Sequence, residues 1–256
     1  MRNYFLIIGL VVIGLLLATG AIAQLNNQSK VDKAIQNGIA YLKGQEFLSD
    51  ELLVLDLIQQ THSEYDFSDI IYESAPNVMA FHYPLKSFVL KQSMEDDSIL
   101  SETRGALYYS DFIDYFSCKP LTNEWLQSLS NLDNDGSEFG SYNESHSLLL
   151  LQLLKTDYSN GRCGFDPMVS ELDFLIEKKA LLVQASLNER NNFDVWVERV
   201  AVLGFVGYPV SEESVQYILD RQQSDGGWKV MDYYSDADTQ SHPTVLSVWA
   251  LVEASK

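Results

Sequence analysis

The chain has 256 residues, 46% of them hydrophobic, and its 36 acidic side chains against 17 basic ones leave a net charge of −19. That excess repels a phosphate backbone, which excludes nucleic acid as a partner, and it equally disfavours an anionic membrane surface. Length and apolar content suffice for one hydrophobic core of ordinary size.

The chain opens with an apolar run from Phe5 to Ala23, preceded by Arg2 and closed by Ala21-Ile22-Ala23 before the polar Gln24. A basic start, an apolar stretch and small residues at the cleavage positions make a secretory signal peptide, cut after Ala23. The run also comes close to the roughly 20 residues that cross a bilayer, so an uncleaved anchor is the alternative. Either way, residues 1–23 are a targeting or anchoring segment and the only expected membrane attachment. Residues 24–256 form one domain outside the cytoplasm, secreted, periplasmic or held at the membrane by residues 1–23.

Helical periodicity then runs through most of the chain. Val31, Ala34, Ile35, Gly38, Ile39 and Leu42 recur at the spacing of one helix face,. A second helix is expected over 50–60, with Ser49 as N-cap and Asp50 and Glu51 in the first turn. The aromatic stretch from Tyr65 to Tyr83, interrupted by Pro76, reads as loop with short helices. Glu102 to Phe116 reads as helix. Asp166-Pro167 is a helix start, with Pro at N1, leading a stripe from Met168 to Val183. Ser211 caps a further helix through Leu219. Leu148–Leu154, Trp196–Phe205 and Val245–Val252 are apolar almost all round, which marks buried helices. One-faced helices alternating with buried ones imply two helical layers, an all-α domain.

Two segments repeat one pattern. Trp125 to Leu154 and Tyr217 to Val252 each read as helix, Asp-Gly turn (Asp135-Gly136, Asp225-Gly226), loop, Ser-His pair (Ser145-His146, Ser241-His242) and buried helix,. The pair of helices from Ala34 to Ile58 is a third, eroded copy. In the last copy the turn is Gln222-Gln223-Ser224-Asp225-Gly226-Gly227-Trp228. Its glycines permit positive φ, Asp225 can accept turn N–H groups, Trp228 can cover apolar helix ends, and Gln222 can bond a neighbouring unit's backbone. Gln222, Asp225, Gly226, Gly227 and Trp228 are thus read as a structural clasp between helix pairs.

This unit, followed by Thr244 to Leu251, resembles the repeat of the terpenoid cyclase and protein prenyltransferase superfamily. The resemblance covers Val215 to Ala254 well and Trp125 to Leu154 fairly. It implies an α/α toroid, here a partial or small barrel of helical hairpins with inner and outer rings. It does not fix an activity, because function belongs to sites and not to folds.

The family's chemistry is poorly represented. Cyclases protonate an alkene with clustered aspartates, which hold a proton on through mutual repulsion. The nearest clusters are Glu95-Asp96-Asp97, which lacks the first aspartate, and Asp236-Ala237-Asp238, in the loop after Trp228; spaced carboxylates of this second kind also suit calcium. Asp96, Asp97, Asp236 and Asp238 are the acid candidates. His242 resembles in position the zinc histidine of the prenyltransferases, but the accompanying Asp-x-Cys is missing, so no metal and no cofactor is expected. The two Ser-His pairs read as N-caps. Cys118 and Cys163 are a disulfide candidate that would close a loop of about 45 residues and add on the order of 4 kcal/mol; two buried thiols are the alternative. The expected function is binding of a protein or glycan without chemistry. Polysaccharide lysis or hydrolysis, or a terpenoid cyclase with a degenerate acid motif, stand as alternatives.

Overall fold

The computed structural model describes residues 27–47, 49–74, 122–131, 140–159, 169–230 and 240–256, and over them the protein is all-α. Helix α1 covers 27–42, α2 Ser49–Thr61 and α3 Ser68–Ser74. They are followed by α4 (Asn123–Asn131), α5 (Gly140–Ser159) and α6 (Val169–Ala185). The last three are α7 (Phe193–Phe205), α8 (Glu212–Leu219) and α9 (Ser241–Ala254). The apolar run 5–23, the expected helix 102–116, Asp135-Gly136 and Asp166-Pro167 lie outside the described residues, as do Asp96, Asp97, Asp236, Asp238, Cys118 and Cys163. Among the described residues no helix is long and apolar enough to cross a membrane.

Local chemistry sets the helix starts. Ser211 caps α8 by accepting the Ser214 N–H at 3.1 Å. Helix α7 starts three residues earlier than its apolar stretch suggests, because Asn192 Oδ1 accepts the N–H groups of Asp194 at 3.0 Å and Val195 at 3.4 Å. Asp66 caps α3 in the same way, accepting the Ser68 N–H at 2.9 Å. Hydrogen bonds from the Ser68 side chain and backbone hold its carboxyl below the ordinary aspartate range,.

The helices fall into two classes. In α7 every residue from Phe193 to Gly204 is buried, and in α9 every residue from Pro243 to Glu253. Helix α5 buries Leu148 to Leu151, Leu153 and Leu154, and α2 buries Glu51 to Ile58. The other long helices alternate: α1 buries Val31, Ala34, Ile35, Gly38 and Leu42 and exposes Asp32, Lys33, Gln36 and Asn37. The four buried helices pack side by side in the order α5, α7, α9, α2, with α6 against α5 and α7, and α8 against α9. Each is preceded in the described chain by a one-faced helix, which gives the pairs α1–α2, α4–α5, α6–α7 and α8–α9.

The buried helices run in one direction. At one end, side chains from their first turns meet: Ser241 of α9 with Glu51 of α2, His242 of α9 with Asp194 of α7, and Asp194 with Tyr142 of α5. At the other end, Glu253 near the end of α9 meets His62 just past α2, at 3.2 Å. There Phe205, the last residue of α7, packs edge-on against Trp249 of α9 at 5.6 Å.

The Gln222–Trp228 turn joins the last hairpin to the first helix. Gln222 Nε2 donates to the Ala34 carbonyl at 2.8 Å and to the Gly226 carbonyl at 3.0 Å. Asp225 accepts the Gly227 N–H at 3.1 Å. Trp228 is fully buried, and its indole N–H reaches the Ile218 carbonyl at 2.8 Å. Gly226 has φ +96°, and a Cβ there would stand 2.5 Å from the Asn37 carbonyl oxygen. A side chain at this position is therefore both strained and obstructed. Gly226→Ala is expected to lower stability by roughly 1–3 kcal/mol and Trp228→Ala by about 3–5 kcal/mol. Denaturant unfolding monitored by circular dichroism checks both; an unchanged midpoint in the two variants contradicts the clasp.

Candidate functional site

The common starting end of the buried helices carries the densest polar chemistry among the described residues. Helix α7 is apolar all round except for Asp194, Glu198 and Arg199, which are nonetheless buried. A buried carboxylate is tolerated only with hydrogen-bond partners, and here neighbouring helices supply them.

Asp194 takes two. Tyr142 of α5 donates its hydroxyl to Oδ2 at 2.7 Å, and His242 Nδ1 of α9 lies 2.9 Å from Oδ1. An ionised carboxylate has no proton to give, so in this contact Nδ1 carries the proton. Glu198, one turn further along α7, accepts the Ser145 hydroxyl and lies 3.3 Å from His146 Nε2. The Tyr142 and His146 rings stack with centroids 5.7 Å apart. The two carboxylates are thus backing groups for two imidazoles, with the phenol between them.

Burial is graded. The side chains of Asp194 and Glu198 are 6% and 5% exposed, whereas those of His242 and His146 are 27% and 23% exposed. Solvent, or a ligand, meets imidazole and not carboxylate. Arg199 points elsewhere: it donates to the Ser186 carbonyl at 3.1 Å and lies 3.8 Å from Glu144, whose other bond is from the Ser186 hydroxyl at 2.8 Å. That network ties the turn after α6 to α5 and α7.

The N-cap reading of the two Ser-His pairs is corrected. Ser145 lies inside α5, and Ser241 is already the first residue of α9, whose N-cap is Gln240. Both hydroxyls donate to a carboxylate on the adjacent buried helix, Ser145 to Glu198 and Ser241 to Glu51. Neither serine is therefore arranged as a nucleophile activated by its neighbouring histidine. The physical reason lies in the neighbours: a carboxylate buried at an adjoining helix start is a stronger acceptor for O–H than a backbone N–H is a donor to it.

Of the sequence-derived acid and base candidates, the structure places His242 in this cluster. Asp194, Glu198, Tyr142 and His146 belong to it as well. Their signal in the sequence is two acids four residues apart inside an otherwise apolar helix, together with the repeated Ser-His. Arg190 and Arg221, which a lyase reading needs near an acid or base, instead sit over the Tyr217 ring, at 4.6 and 3.5 Å from its centroid. A separate hollow of about 760 Å³ lies beside the end of α1 and α3, lined by Leu42, Phe47 and Ile70 with Glu46, Asp69 and Glu73. Among the described residues its lining holds no histidine or tyrosine. Among the described residues no three His, Cys, Asp or Glu side chains are grouped to hold a metal ion.

Comparison with protein-family models, curated proteins and solved structures finds no match to this chain. The site must therefore be read from its own geometry. Replacing Arg199 by methionine removes the buried cation beside the Glu144 carboxylate and is expected to destabilise the fold by about 3 kcal/mol. Replacing exposed Arg190, which pairs with Glu213 in solvent, should change stability by less than about 1 kcal/mol. Equal losses in the two variants would contradict this assignment.

Proposed function

We propose that the chain is an exported domain of the α/α-toroid type that binds a polyhydroxylated ligand, a glycan, on the face where α2, α5, α7 and α9 begin. The single observation that carries this reading is the juxtaposition of Tyr142, His146 and His242, from two helix starts, over the buried Asp194 and Glu198. Flat rings that also carry hydrogen-bonding edges suit a sugar, whose faces are apolar and whose rim is hydroxyl. Both imidazole rings are partly exposed there, His242 at 27% and His146 at 23%. A strongly anionic or nucleic-acid ligand fits poorly, because buried carboxylates stand directly behind the rings.

The toroid reading rests on the four like helix pairs, on the shared direction of the buried helices and on the clasp from Gln222 to Ala34. Export rests on the 1–23 segment. A peptide ligand is the competing reading, and one experiment separates the two: thermal shift of the full chain against a glycan and a peptide panel. A shift with glycans that Tyr142→Phe and His242→Gln both abolish, while each variant melts as a folded protein without ligand, supports the proposal. A shift with peptides only, or one indifferent to both variants, overturns it.

A further inference from the structure

Among the described residues four large apolar side chains are exposed, and three of them lie on α6: Phe174, Leu181 and Leu182, at 65%, 56% and 37%. The core side of that helix is already spent on Leu172, Ile176, Ala180 and Val183, all buried. At about 100° per residue, Phe174 and Leu181 fall within roughly 20° of each other on the opposite side. They are also one heptad apart, the spacing of the seam between two helices that cover each other. We infer that α6 is the docking surface for a second copy of this chain, with the two α6 helices side by side and parallel.

The charges beside the stripe select both the partner and its direction. The chain carries a net charge of −19, so a second copy is repelled unless the contact itself sets opposite charges together. Glu177 and Lys178 do so. Both are exposed, and they stand about 50° to either side of the line through Phe174 and Leu181. A two-fold axis along the helices exchanges the flanks, so Glu177 of each protomer meets Lys178 of its partner, and Phe174 and Leu181 each meet their own counterparts. An axis across the helices keeps each flank on its own side. It would set glutamate against glutamate and lysine against lysine, which excludes the antiparallel pair. Asp173, further round the helix, is held within its own protomer by Lys155 at 2.6 Å. Helix α6 ends near the start of α5, where Ser186 bonds Glu144 at 2.8 Å; the parallel pair therefore turns both polar faces the same way. A single helical seam buries less than the roughly 1,200 Å² of stable complexes, so the dimer is a weak one.

Sedimentation equilibrium of the full chain, in a concentration series reaching about 1 mM, measures the association. The unmodified chain should show a monomer–dimer equilibrium. Glu177→Lys and Lys178→Glu each turn two attractive contacts of the symmetric pair into repulsive ones, and each should weaken dimerisation about tenfold or more. They change the net charge in opposite directions, so an effect of overall charge would move the two variants oppositely. The doubly reversed variant sets opposite charges together again and should dimerise like the unmodified chain. An equimolar mixture of the two single variants should do the same, as a heterodimer. Circular dichroism melting shows that each variant is folded, as expected for substitutions at exposed positions. A chain that stays monomeric throughout the series overturns the proposal. So does a dimer indifferent to the single reversals, the result expected if the apolar run 5–23 drives association. Weakening without recovery in the doubly reversed variant and in the mixture overturns it as well.

Discussion

The carboxylate of Asp194 is the constraint on which the site depends. It is the second residue of a helix with no exposed residue from Phe193 to Gly204. Isolated there it would be untenable. It is tenable because α5 brings Tyr142 and α9 brings His242 to its two oxygens. Satisfying one buried charge thus fixes the relative register of three helices, and it leaves a polar ring from each neighbour at the surface. Glu198 repeats the arrangement one turn on, with Ser145 and His146.

This arrangement requires the buried helices to run in one direction. Parallel neighbours need return segments, and the one-faced helices α6, between α5 and α7, and α8, between α7 and α9, provide them. The first hairpin is placed differently: α2 lies beside α9, and α1 is held by the turn between α8 and α9 through Ala34, Asn37 and Gly38. The first described helices therefore pack against the last pair. The Gln222–Trp228 turn does this with one side-chain amide, one glycine at positive φ and one buried indole, none of which takes part in the polar face. Fold and site draw on separate residues, which is why the turn alone says nothing about activity.

Much of the architecture was legible in the sequence. The stretch Leu148–Leu154 and the run Val245–Val252 announce buried helices by being apolar on every side, and the α1 stripe announces a one-faced one. Ser211 was legible as a cap because helix capping is local. The start of α7 was less so, since Asn192 and not the apolar pattern sets it. The site was only partly legible. His242 stood out, and the two Ser-His pairs were visible as a repeat, but their hydroxyls turn to Glu198 and Glu51, residues 53 and 190 positions away. Such a choice depends on which helices become neighbours, and no local spacing carries that. The clue available beforehand was the pair Asp194 and Glu198 within an apolar helix, where charge makes sense only with partners from elsewhere.

The two carboxylate contacts use opposite imidazole nitrogens: Nδ1 in His242 and Nε2 in His146. That is an observable property of the rings themselves, and the chain has only four histidines to distinguish. Nitrogen-15 NMR of the full chain, labelled at histidine, reports which ring nitrogen carries the proton when an imidazole is neutral. The account predicts the Nδ1–H form for His242 and its loss in Asp194→Asn, with His146 in the Nε2–H form throughout. His242 in the Nε2–H form, or a His242 spectrum indifferent to Asp194→Asn, would contradict the claim that buried carboxylates organise this face.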